Sequence, residues 1–216
     1  MTPQNASAIA RDIANLAPII PVLVLDDLAY ARPLAEALVA GGLPALEVTL
    51  RTPVALDVIR AMADVPGGVV GAGTLLTPAD VRAAKAAGAK FGVSPGATDT
   101  LLKACEDEDL PLLPGAATAS EVMRLFERGY DMLKFFPAEA AGGAPAIKAI
   151  GAPIPQVSFC PTGGVSPENA ESYLSLPNVI CAGGSWVAPK DKMLSGDWDG
   201  ITALARAAST LGRKGR

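Results

Sequence analysis

The sequence predicts a single-domain α/β protein, a (β/α)8 TIM barrel, on three observations. Eight short apolar runs rich in β-branched and aromatic residues recur at a spacing of roughly 20 to 25 residues, which fits one strand and one helix per repeat. The segments between them place apolar residues at intervals of three and four, the signature of amphipathic helices. The runs themselves are nearly continuous rather than alternating, as expected of parallel strands covered on both faces, and a count of eight favours closure over an open doubly wound sheet.

Residues 1–17 read as a short helix leading into the first strand, since Arg11 and Asp12 sit at helical spacing among apolar residues. The strands then follow as "PVLVL" from 21, "ALEVTL" from 45, "GVVGAGT" from 68 and "FGVSPG" from 91. The series continues with "LPLLPGA" from 110, "MLKFFPA" from 132, "QVSFCPT" from 156 and "NVICAGG" from 178. Helices are expected in "ARPLAEALVAGG", "TPADVRAAKAAGA", "DTLLKACEDEDL" and "TASEVMRLFERGY". Cap signals mark several starts: Thr77 before Pro78 and Asp80, Thr118 three residues before Glu121, and Ser166 before Pro167 and Glu168. Gly41, Gly88 and Gly129 mark helix ends, where a left-handed residue is required. Residues 213–216 read as a frayed tail, so 1–216 is one domain.

Composition removes several function classes. Charged residues are 19% of the 216, the net charge is -4, and the only Lys/Arg cluster is the terminal "GRKGR", so no nucleic-acid surface is indicated. No apolar run approaches the roughly 18 residues of a membrane span, and no signal segment is visible, which makes a cytoplasmic protein the expectation. Cys105, Cys160 and Cys181 are odd in number and widely spaced, as buried reduced thiols would be. There is no histidine, so imidazole triads are excluded and a zinc site would need carboxylates alone. No metal and no cofactor is expected, and any general acid or base must be Asp, Glu, Lys, Tyr or water.

In a barrel, function sits at the C-terminal ends of the strands, which makes polar residues inside these strands informative. Glu47, Thr49 and Arg51 alternate with Leu46, Val48 and Leu50, so period two turns the polar set inward. A structural Glu47–Arg51 bridge is the competing reading, but burying two charges costs several kcal/mol per ion where Val or Ile would fill a barrel. Lys134 shares its face with Met132 and Phe136, against Leu133 and Phe135. Desolvation among Phe rings disfavours a charged amine and leaves a nucleophile able to attack a ketone as a Schiff base; a structural pair with Glu47 is the alternative. "CPTGGV" and "CAGGSWV" end the last two strands, and their Gly163, Gly164, Gly184 and Ser185 are candidates to hold a phosphate. "GVVGAGT" lacks the third glycine of a dinucleotide fingerprint at the helix start.

"LEVTLRT", "GAGT", "SPG", "LPGAATASE", "KFFPAE", "FCPTGG" and "GGSW" closely resemble, in order, the 2-keto-3-deoxy-6-phosphogluconate (KDPG) and 4-hydroxy-2-oxoglutarate aldolase family. That resemblance implies a homotrimeric class I aldolase cleaving KDPG to pyruvate and glyceraldehyde 3-phosphate in the Entner-Doudoroff pathway. It implies Lys134 as the Schiff-base residue, Glu47 as the proton carrier, and Arg51 as the carboxylate anchor in a pocket lined by Thr74 and Pro95. It further implies that Thr162 contributes to stereochemical control at C4; Phe136, on the inward face of Lys134, packs beside the pyruvate methyl or serves as a core residue. Leu75 and Ala141 depart from the Val and Asn expected there, off the chemical positions. The competing readings are an aldolase for the galactonate epimer, a phosphosugar epimerase or isomerase, and a non-catalytic scaffold.

Overall fold

The computed structural model describes residues 1–212, so the tail expected to fray at 213–216 lies outside them. The first helix, α1 (Pro3–Ala14), is shorter than the 1–17 expected: Thr2 accepts from the Asn5 N–H at its start, and Asn15 closes it. Its buried face is Ala6, Ser7, Ala10 and Ala14. Small side chains there let the helix lie close against the strands.

Among the described residues, nine parallel strand segments occupy the eight expected positions: β1 (Ile19–Leu23), β2 (Ala45–Thr49), β3 (Val69–Gly73), β4 (Gly92–Val93), β5 (Leu112–Leu113), β6 (Gly115–Ala116), β7 (Met132–Phe135), β8 (Ser158–Pro161) and β9 (Ala182–Gly184). The extra one arises because Pro114, without an N–H, interrupts the fifth run between β5 and β6. A six-stranded sheet runs β5-β4-β3-β2-β1-β9 and a three-stranded sheet runs β6-β7-β8. Isolated parallel bridges Phe159–Val179 and Thr162–Gly183 lie between the β8 and β9 segments.

The helices that follow are α2 (Ala31–Ala40), α3 (Ala55–Ala63), α4 (Pro78–Ala86), α5 (Asp99–Asp107), α6 (Ala119–Arg128), α7 (Gly143–Gly151), α8 (Ala170–Leu174), α9 (Lys190–Ser195) and α10 (Trp198–Ala208). Thr77 and Thr118 form the reciprocal capping boxes that their spacing predicts. Ser166 does not start a helix. Its N–H donates to Asn169 Oδ1 at 2.8 Å, a turn intervenes, and α8 begins at Ala170.

Gly88 and Gly129 take the expected positive φ, +100° and +105°. Gly41 is instead right-handed at φ -79°, and Gly42 turns the chain at φ +90°. Gly41 is needed for another reason, since any Cβ there would overlap Ala205 of α10. Two apolar clusters result. The larger fills the space between strands and helices, with Leu34, Leu46, Val70, Leu133 and Ile201 among its members. The smaller lies inside the strands, from Ala10 and Ala14 of α1 through Ile20, Phe91, Val93 and Met132 to Cys160 and Cys181. All three cysteines are buried. Among the described residues no helix is long and apolar enough to cross a membrane.

Candidate active site

Above the smaller cluster, at the C-terminal ends of the strands, the inward-facing side chains turn polar. On β2, Leu46 and Val48 join the larger core while Glu47 and Thr49 alternate to the other side. Thr49 Oγ1 is spent on structure, donating to the Leu23 carbonyl at 2.9 Å. On β7, Leu133 and Phe135 pack outward, Phe135 edge-on to Phe159, and Met132 and Lys134 face in. Lys134 Nζ stands 3.5 Å from Glu47 Oε1, although the two lie 87 residues apart in the chain. They are 4% and 3% exposed, so each is the other's chief electrostatic partner. The Phe136 ring faces Nζ with its centroid 5.1 Å away, a position that holds a cation as well as shielding it from water.

Gly73 makes the Glu47 position possible, because a Cβ at 73 would overlap the Glu47 carboxylate. Sequence reasoning did not single out Gly73. Its signal was available, since "GAGT" places a glycine on the strand beside an inward glutamate.

Lys134 reaches the wall of a cavity of about 420 Å³ that is also lined by Arg51, Thr74, Pro95, Phe136, Thr162, Gly163, Gly164 and Ser185. Glu47 lies behind Lys134 and is not part of that wall. Arg51 arrives differently from the strand alternation expected of it: β2 ends at Thr49, and Arg51 extends from the turn beyond. Its Nε donates to Thr74 Oγ1 at 3.4 Å, and among the described residues it makes no ion pair, so no Glu47–Arg51 bridge forms. Thr74 is held at φ +64°, a strained conformation for a β-branched residue, which turns its hydroxyl toward Arg51. Thr162 is 6% exposed, with Oγ1 3.9 Å from Cys160 Sγ. Gly183 lines the cavity where Gly184 was expected; Gly184 is buried one residue later, against the Trp186 ring. A neighbouring cavity of about 450 Å³ shares Val22, Val24 and Ser185, but it lacks a buried acid or amine.

These residues all fall within the span over which the chain matches a known family. The family model described as "Aldolase: KDPG and KHG aldolase" matches residues 10–204. The chain belongs to the KDPG and KHG aldolase family. Within it, the chain is 53% identical to the 2-dehydro-3-deoxy-phosphogluconate aldolase of Pseudoalteromonas atlantica, over 95% of this chain and 96% of that protein. A crystal structure of the 2-keto-3-deoxy-6-phosphogluconate aldolase of Zymomonas mobilis ZM4 with 3-phosphoglycerate superposes with a TM-score of 0.90. It shares 51% identity over 94% of this chain and 96% of that one. The KDPG aldolase of Legionella pneumophila, with pyruvate captured as a covalent carbinolamine intermediate, also gives a TM-score of 0.90, at 48% identity over 93% of this chain and 98% of that one.

Proposed function

We propose that this aldolase-family chain is a class I Schiff-base lyase that cleaves KDPG reversibly to pyruvate and glyceraldehyde 3-phosphate, and that it also acts on 4-hydroxy-2-oxoglutarate. The observation that carries this reading is a buried amine, Lys134 Nζ, on a cavity wall with one carboxylate, Glu47, 3.5 Å behind it. Glu47 takes a proton from the lysine, and the freed amine attacks the C2 ketone to form a carbinolamine. Returning the proton to the departing oxygen releases water and leaves an iminium. That cation draws the electron pair of the C3–C4 bond as the C4 hydroxyl passes its proton to the Glu47 carboxylate, so the aldehyde leaves and an enamine remains. Protonation at C3 and hydrolysis then free pyruvate and the lysine.

Arg51, whose guanidinium on the wall makes no ion pair among the described residues, binds the carboxylate, with Thr74 and Pro95 completing that end. Phe136 sits beside the pyruvate methyl, and Thr162 beside C4. Gly163, Gly164 and Ser185 take the phosphate, with Gly184 supplying the close-packed backbone that sets Ser185. The electron sink is the iminium itself, so the mechanism calls for no cofactor and no metal.

The two sheets close into one (β/α)8 barrel in this reading. The two bridges between β8 and β9, together with a break between β5 and β6 only one residue long, support that. A cytoplasmic homotrimer is the assembly we propose, from the family likeness. The galactonate-epimer reading is weaker: a solved KDPGal structure shares 28% identity, against 51% for the Zymomonas KDPG aldolase. Pyruvate with borohydride tests the chemistry. A reduced pyruvyl adduct on Lys134 is expected, and an active protein left unmodified would overturn it. Cleavage rates on the two epimers decide the substrate, with the gluconate epimer expected to be faster.

A further inference from the structure

The geometry points to Glu139 and Tyr173 as positioning residues for the glycine turn at 162–165, acting on phosphate affinity from outside the cavity. This rests on the reading of that turn as the phosphate site, and goes beyond it. Neither side chain lines the cavity. Glu139 lies against the back of the turn that does, and Tyr173 holds Glu139.

The turn is held through its carbonyls. Ala138 N donates to Thr162 O at 2.8 Å, Glu139 N to Gly163 O at 3.0 Å, and Asn169 Nδ2 to Gly164 O at 2.9 Å. With those carbonyls engaged from behind, the N–H groups of Gly164 and Val165 donate to no acceptor among the described residues. Gly163 and Gly164 take φ of +99° and +80°, left-handed conformations that glycine adopts without strain and that let the backbone approach a ligand closely. The Glu139 side chain lies across Gly164, where a Cβ would come within 2.6 Å of Glu139 Cγ. Tyr173 OH then donates to Glu139 Oε1. Tyr173 is fully buried on α8, in the larger core, so it is a fixed post; burial, and then the carboxylate, push its hydroxyl's pKa well up. The chain of contacts is therefore α8 core, Tyr173 hydroxyl, Glu139 carboxylate, Gly164.

The arrangement explains why a carboxylate can stand beside a phosphate turn. That carboxylate is tied to the tyrosine hydroxyl. Tyr173→Phe removes the tie and keeps the ring's packing, and Glu139→Gln keeps an acceptor for the hydroxyl. Steady-state kinetics on phosphorylated KDPG and unphosphorylated 4-hydroxy-2-oxoglutarate, with inorganic phosphate as competitive inhibitor, read the effect, and Ser185→Ala serves as control. For Tyr173→Phe we expect KM for the phosphorylated substrate and the phosphate inhibition constant to rise roughly three- to tenfold. Glu139→Gln should do less, while the KM for the unphosphorylated substrate, kcat and trapping of pyruvate at Lys134 stay put. If Ser185→Ala weakens phosphate binding but Tyr173→Phe does not, the positioning role is wrong. If neither variant does, the phosphate reading falls and takes this inference with it. Equal losses on both substrates would also overturn it, marking the pair as general structure.

Discussion

The two ends of the strands are built from the same backbone and opposite chemistry. At the N-terminal end the interior is closed by Ala10 and Ala14 of α1 over Ile20, Phe91, Val93 and Met132, an apolar cluster that also takes in Cys160 and Cys181. At the other end the same strands present Glu47, Thr49, Lys134 and Thr162, all buried, beneath turns rich in glycine. On β7 the change happens within two residues, from Met132 to Lys134. The difference teaches that one end secures the other: a charged pair in low dielectric is costly, and the apolar plug supplies burial energy to hold it.

Single substitutions break this contrast in order of size. Lys134→Met should cut kcat for KDPG cleavage by roughly three orders of magnitude or more and abolish borohydride trapping, while circular dichroism still reports a folded chain. Substantial turnover by that variant would erase the distinction between the ends. Phe91→Ala, in the plug, should do the reverse, costing about 3–5 kcal/mol in urea unfolding and leaving kcat per folded molecule near wild type. A rise in urea midpoint would show that the ring is strained rather than supporting. Gly73→Ala sits between the two: its Cβ displaces the Glu47 carboxylate, and kcat should fall about a hundredfold with KM little changed.

The smallest effect belongs to the helical shell. Thr118→Ala should cost about 1 kcal/mol at pH 7 by removing a cap of α6. Glu121 in the same box has its pKa held below the usual 4.5, first by the Ala117 N–H and then by Thr118. A depressed carboxyl stabilises the fold when ionised, so its contribution is complete above about pH 4.5 and fades as acid carries the pH below that. The stability gap between wild type and Glu121→Gln should therefore close on acidification, and a gap that widened would refute the cap.

Much of this was legible because the determinants are local. Period two chose the inward faces of β2 and β7, so Glu47 and Lys134 could be picked from a few residues on either side. The Thr77 and Thr118 boxes are equally short-range, needing three residues each. Ser166 carried the same kind of signal and did not open α8, which begins at Ala170 after an intervening turn. Gly41 misled for a related reason: its small size serves contact with α10, more than 150 residues away, and not a left-handed turn.

The sequence by itself determined the parallel strand-and-helix alternation, the polar face at one end of it, and the amine and acid as its chemistry, since backbone periodicity and side-chain type need no partner. Only the tertiary structure decided that Lys134 and Glu47 meet at 3.5 Å, that Arg51 reaches the cavity from a turn, that Gly183 lines it, and that Tyr173 secures Glu139. Distances between strands depend on register, and register is settled by every packed side chain at once.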